Sequence, residues 1–123
     1  MLSRTLRHLG ELERSEALAH QHLALVTKAE GTESADYAMG LRNLAKLHLL
    51  KKRWAEAEKL LKRSIRIGIT TLGPRDVLVA DDLDLLCDSL MGQNKVVEAE
   101  KIRRQIDELE RGHAGASHST RRR

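Results

Sequence analysis

Phenylalanine is absent from this 123-residue chain and proline occurs once. Leucine, alanine, glutamate, lysine and arginine dominate instead, a palette that favours helix over strand. The single cysteine, Cys87, excludes an internal disulfide and fits a reducing, cytoplasmic compartment. No apolar run approaches the roughly 20 residues of a membrane span. Met1 to Gly10 carries Arg4, Arg7 and His8 between its leucines, which does not read as a secretory signal. Glycine-rich phosphate loops, an ordered Ser-His-Asp set and strands for a nucleotide fold are all missing, so neither catalysis nor a cofactor is expected. The length suits one domain with a modest core.

Basic residues number 22 and acidic residues 18, but the excess is local. From Glu110 onward one acid stands against Arg111, Arg121, Arg122 and Arg123. The rest of the chain is nearly neutral. Residues 112–123 have no period and no apolar anchor, and are expected to form a disordered basic tail. Three terminal arginines fall short of the about 5–8 residues of a typical basic motif, so nucleic acid is not an expected partner.

Metal is not expected either. Six histidines are scattered. His20 and His22 flank Gln21 and diverge on a helix. No Cys or His stands at zinc-ligand spacing. Five aspartates (76, 81, 82, 84 and 88) share one segment, but without the loop that makes a calcium cage they read as a solvated helix face.

What the chain does contain is a period. Ala38 recurs as Ala80, Leu41 as Leu83, Leu44 as Leu86, and Ala57-Glu58 as Ala99-Glu100, always 42 residues on. Going back by the same step, Gly73 is matched by Gly31, Glu58 by Glu16 and Trp54 by Leu12. A fixed period of this size marks stacked repeats. The complete unit spans 34–73, with apolar stripes through Ala38, Leu41, Leu44, Ala45 and His48 and then Ala57, Leu60, Leu61, Ser64, Ile65 and Ile67. Between them lies the turn position of Lys52, occupied by Asn94 in the third unit (76–111) and by Gly10 in a partial first unit (1–31). Gly10 is therefore expected to end a short first helix in a left-handed turn before a second helix from Leu12 to about Ala29. Gly31, with Thr32 or Ser34, punctuates the next boundary. Leu72-Gly73-Pro74 stops the one after. The last helix carries a narrow stripe (Ala99, Ile102, Ile106, Leu109) among charges, as suits the closing helix of a stack.

LRNLA, RWAEAEKLLKRSI and TLGP resemble the wording of tetratricopeptide repeats, specifically the 42-residue kind of kinesin light chains. The motif positions are Leu44, Ala45, His48, Trp54, Ala57, Leu61 and Ser64, then Leu86, Cys87, Leu90, Val96 and Ala99, with Arg103 and Asp107 departing from the pattern. The resemblance covers about Leu2 to Leu109. It implies an all-α, right-handed solenoid of antiparallel helix pairs, about two and a half repeats with a C-terminal cap helix. It also implies a non-catalytic adaptor that binds a partner peptide or helix in the concave groove. The groove would be lined by Arg4, His8, Met39, Arg42, Asn43, Lys46, Leu49, Leu50, Asp81, Asp84, Asp88 and Met91. Asn43 keeps the asparagine that faces peptide in that family, and Leu85 takes its place in the third unit.

These positions fall three or four apart, so each set shares a helix face, and the face changes from basic to acidic along the stack. Such a groove orients a ligand carrying both charges. Alternatively, Arg42 and Lys46 simply face Asp84 and Asp88 as surface pairs worth ~0–1 kcal/mol each. Cys87 matches Ala45 and reads as a buried thiol. Trp54 reads as core packing. The other open possibility concerns the first unit, which lacks most of its first helix. Leu2, Leu6, Leu9 and Leu12 form an apolar edge for a homodimer or for the remainder of a longer array.

Overall fold

The computed structural model describes the backbone of residues 2–117 and the side chains of residues 9–111. Five helices follow one another: α1 (Leu2–Glu30), α2 (Ala35–Leu50), α3 (Trp54–Leu72), α4 (Val77–Gly92) and α5 (Val96–Ser117). No strand occurs among the described residues. Each helix packs on the next in chain order, and α2 also touches α4. The result is a helical stack of two hairpins, α2–α3 and α4–α5, with α1 laid against α2.

The turns are set by sequence. Lys52 and Asn94 both adopt left-handed backbone, with φ of 60° and 63°. The Arg53 amide donates to the His48 carbonyl at 2.8 Å and the Lys52 amide to Leu49 at 3.0 Å. Lys95 donates to Leu90 at 2.9 Å and Asn94 to Met91 at 3.0 Å. These are two copies of one helix-ending motif, which satisfies the last carbonyls of α2 and α4. The helix starts are as regular. Ser34 accepts from the Tyr37 amide at 3.0 Å, and Asp76 accepts from the Leu78 amide at 2.9 Å, each filling an orphan donor.

Gly10 departs from its expected role. The backbone continues as helix through it, so α1 is one rod where a helix–turn–helix was expected. Gly10 keeps a helical backbone, and nothing lies within 4 Å of where a Cβ would stand on it, so no close contact forces a turn there. Propagating one helix adds a hydrogen bond per residue, at a glycine cost of only about 1 kcal/mol. The other end also differs. α5 runs past the boundary expected at Arg111 to Ser117, because no proline interrupts the helical bonds and Gly112 and Gly115 are weak breakers. The remainder of the expected tail, with its three arginines, lies outside the described residues.

The larger core cluster joins Ala45 of α2, Ala57, Leu61 and Ile65 of α3, Val79, Leu83, Leu86, Cys87 and Leu90 of α4, and Ala99 and Ile106 of α5. A smaller one gathers Ala38, Leu41 and Ile67, with Leu23 of α1 packed against it. Leu44 is buried too but belongs to neither cluster. Gly68, which interrupts α3 with a poor helix former, lies where α3 meets α4. A Cβ there would stand 3.1 Å from Val79, tighter than ordinary packing. Cys87 is buried and reaches the Ala99 carbonyl at 3.5 Å. Burial pushes its thiol pKa up, the setting of an unreactive cysteine.

Candidate functional site

α2 and α4 lie side by side, one from each hairpin, and the surface between them holds most of the expected groove. Arg42 and Lys46 sit one turn apart on α2, and Asp81, Asp84 and Asp88 repeat at three and four on α4, so helical periodicity aims both rows into one cleft. With Leu85, these five residues line an opening of about 430 Å³. Further along the same helices, Lys46, Leu49, Leu50, Trp54, Leu85, Asp88, Met91 and Gly92 line a more apolar opening of about 730 Å³.

The ion pairs are not those expected from the sequence. Arg42 donates through Nε to Asp82 at 3.0 Å and through Nη2 to Asp81 at 2.9 Å. Its side chain is only 12% exposed. Asp82 is buried and also receives Ser64, whose Oγ stands 2.6 Å from Oδ2 and 3.0 Å from the Ala38 carbonyl. Burial pushes the Asp82 carboxyl up, while Ser64 and Arg42 pull it down. A buried carboxylate of this kind needs its partners, because an unpaired charge costs several kcal/mol. Arg42 is thus a tie between α2 and α4. Among the described residues, Lys46, Asp84 and Asp88 form no ion pair, and Asp84 and Asp88 are exposed.

Other expected positions separate. Met39, with Arg42, Ser64 and Asp82, borders a shallow dent. Asn43 turns toward α1, where with Lys46, which also borders the α2–α4 cleft, it lines an opening of about 450 Å³ against Ser15, Leu18 and His22 of α1. The side chains of Arg4 and His8 lie outside the described residues. Trp54, read from the sequence as core, is only half buried and forms a wall of the apolar opening. Its ring presses on the α4 backbone at Gly92, where any Cβ would overlap it. Sequence reasoning missed that pair because a 42-residue period aligns equivalent residues, whereas Trp54 and Gly92 belong to different units and positions.

Two polar hubs brace the cleft from behind. Glu58 of α3 accepts from Lys62 at 2.7 Å, Gln93 at 2.8 Å and Lys95 at 3.3 Å. Lys62 foremost, with Gln93 and Lys95, holds its carboxyl down to about 2 against the cost of burial. At the other side, Lys51 donates to Glu16 and, at 3.0 Å, to Glu13, joining α2 to α1. Its pKa is raised, chiefly by the Glu16 bond. His48 is buried, and its Nδ1 has no partner among the described residues. Burial lowers its pKa.

No cluster of three or more His, Cys, Asp or Glu side chains among the described residues is arranged to hold a metal ion. No described helix is long and apolar enough to cross a membrane. Comparison with protein families matches residues 1–69 to a model described as tetratricopeptide repeat. That match spans α1, α2 and most of α3; α4 and α5 repeat the same turn geometry 42 residues on. No curated protein matches the chain.

Proposed function

The chain belongs to the tetratricopeptide repeat family, whose repeats generally mediate contacts between proteins, and from that premise we propose that it is a non-catalytic adaptor receiving a partner segment between α2 and α4. The observation that carries this reading is the apolar stretch of that cleft. Leu50 is 63% exposed and Met91 51% exposed, on either side of Trp54, on a chain whose surface is otherwise rich in charge. Apolar side chains gathered in a concavity mark interaction sites more often than scattered ones do. The 42-residue period supports the longer, kinesin-light-chain-like kind of repeat. The test is affinity capture with the wild-type chain beside a Leu50→Glu, Met91→Glu variant. Both positions are exposed, so the variant keeps its helical signal and melting temperature. Partners lost by the variant support the reading; an unchanged set of partners overturns it.

A second reading concerns α1. Leu18 is 64% and Leu25 68% exposed. Their equivalents one period on, Leu60 and Ile67, pack toward Ala38 and Leu41 of α2. The exposed stretch of α1 through Leu18 and Leu25 thus corresponds to the side that a preceding helix covers in a complete unit. This shifts the edge expected from the sequence. Leu12 is buried, Leu9 is exposed, and the side chains of Leu2 and Leu6 lie outside the described residues. The corresponding role is self-association or continuation of a longer array. Sedimentation of the chain across a concentration range tests the self-association branch: a dimer abolished by Leu18→Gln with Leu25→Gln supports it, and a monomer throughout removes it.

A further inference from the structure

We propose that the segment accepted by the α2–α4 cleft is basic and amphipathic: a large apolar side chain seated against Trp54, with lysine or arginine beside it facing Asp84 and Asp88. The proposal rests on the reading of this cleft as the receiving site and adds the chemistry of its occupant.

From the sequence alone the groove appeared dipolar, basic on α2 and acidic on α4. The structure removes much of the basic half. Arg42 spends its guanidinium on Asp82 and Asp81 and cannot turn to a ligand without stranding a buried carboxylate. Among the described residues, the lining charges outside any ion pair are then two carboxylates, Asp84 and Asp88, against one ammonium, Lys46. Asp84 and Asp88 stand at i and i+4 on one helix, where like charges repel. A cation placed between them relieves that repulsion, whereas an acidic ligand adds to it. Charge complementarity of this kind sets which partner is accepted and how fast it arrives.

The apolar half fixes the other feature. Leu85 and Asp88 line both openings, so the carboxylates and the apolar floor are continuous. About 730 Å³ accommodates a large aliphatic or aromatic side chain with its neighbours, within the about 300–1,000 Å³ range of ligand sites. The Trp54–Gly92 stack gives that floor a rigid aromatic face, the kind of surface that anchors binding. On a helical ligand, residues three or four apart share one face. An apolar anchor and a lysine one turn away therefore reach the floor and the carboxylates together.

Trp54 is the chain's sole tryptophan, so its emission reports directly on the cleft. The probes are a synthetic amphipathic helical peptide of about three turns, leucines on one face and lysines beside them, and the same peptide with glutamates for the lysines. The lysine peptide is expected to shift Trp54 emission saturably. Binding should weaken as salt shortens the Debye length from about 30 Å to about 8 Å. Asp84→Asn with Asp88→Asn, near-isosteric changes at exposed positions, should weaken it roughly fivefold or more at low salt. Equal or tighter binding of the glutamate peptide overturns the basic chemistry and leaves the cleft a receiving site. Silence of Trp54 toward both peptides up to about 1 mM, where binding is worth only about 4 kcal/mol, overturns the cleft reading as well. An emission shift that follows protein concentration alone assigns the cleft to a second copy and overturns the proposal.

Discussion

His48 occupies a position that its own repeat shows how to improve. One period later the same place holds Leu90, fully buried with no polar atom to satisfy. His48 is buried as well, and its Nδ1 lacks a partner among the described residues, a desolvation cost of about 1–3 kcal/mol. Burial holds its pKa below the usual 6.5. The unfolded chain therefore binds a proton that the folded chain refuses, and stability falls as pH drops below about 6.5. His48→Leu is expected to raise stability by about 1 kcal/mol and to flatten that pH dependence. Denaturant titrations at a series of pH values between neutral and mildly acidic measure both; an unchanged slope would refute the assignment. Asp82 shows the opposite case, a buried charge with all its partners present. The sequence displayed five aspartates in one segment and gave no sign which would turn inward. That choice depends on Ser64 and Arg42, which come from two other helices.

At the scale of the element, the turns and the hubs carry different parts of the stability. Lys52 holds a left-handed conformation that costs a residue with a Cβ about 1–2 kcal/mol, and Asn94 meets the same demand with less strain. Lys52→Asn should therefore stabilise the chain by about 0.5–1 kcal/mol, read as a rise in denaturation midpoint at constant slope. Glu58 ties α3 to the α4–α5 turn. Its folded pKa of about 2, against 4.5 for the ordinary carboxyl, means that the unfolded chain takes up the proton first. The stabilisation is complete above about pH 4.5 and is lost as pH falls toward 2. Its ceiling is about 3 kcal/mol, reduced because Lys62 is well exposed and so screened. Glu58→Gln should bring the acid-induced loss forward to neutral pH, so that the variant and the wild type converge near pH 2. Helix existence and the two hairpin turns were legible in advance, because period and turn residues are local properties. The fate of Gly10 was not. Whether a glycine turns or stays helical depends on what packs around it, and nothing lies within 4 Å of where a Cβ would stand on Gly10.

For the whole molecule, the order of neighbours matters most. The two hairpins share the larger core cluster, while among the described residues α1 packs on α2 alone. Stability in such a stack is a sum over adjacent layers. Amide exchange should accordingly be fastest in α1, and slowest around Leu83, Leu86 and Leu90 of α4, which sits between two helices. Uniform protection across α1 and α4 would contradict this layering. The period made the stack visible in the sequence. It could not show which clefts stay open, because the side chains that fill or leave a groove come from unlike positions of neighbouring units, as Trp54 and Gly92 do. It also could not separate the two readings of Arg42, since a basic residue opposite acids looks the same whether it waits for a ligand or is already engaged.

The one-sided seating of α1 has a mechanical consequence. Tension applied at its N-terminal end would strip it away from α2 as a single step, breaking the Lys51 bonds to Glu13 and Glu16 while the paired helices behind it remain folded. The rod would then act as a weak link that yields under load and spares the recess around Trp54.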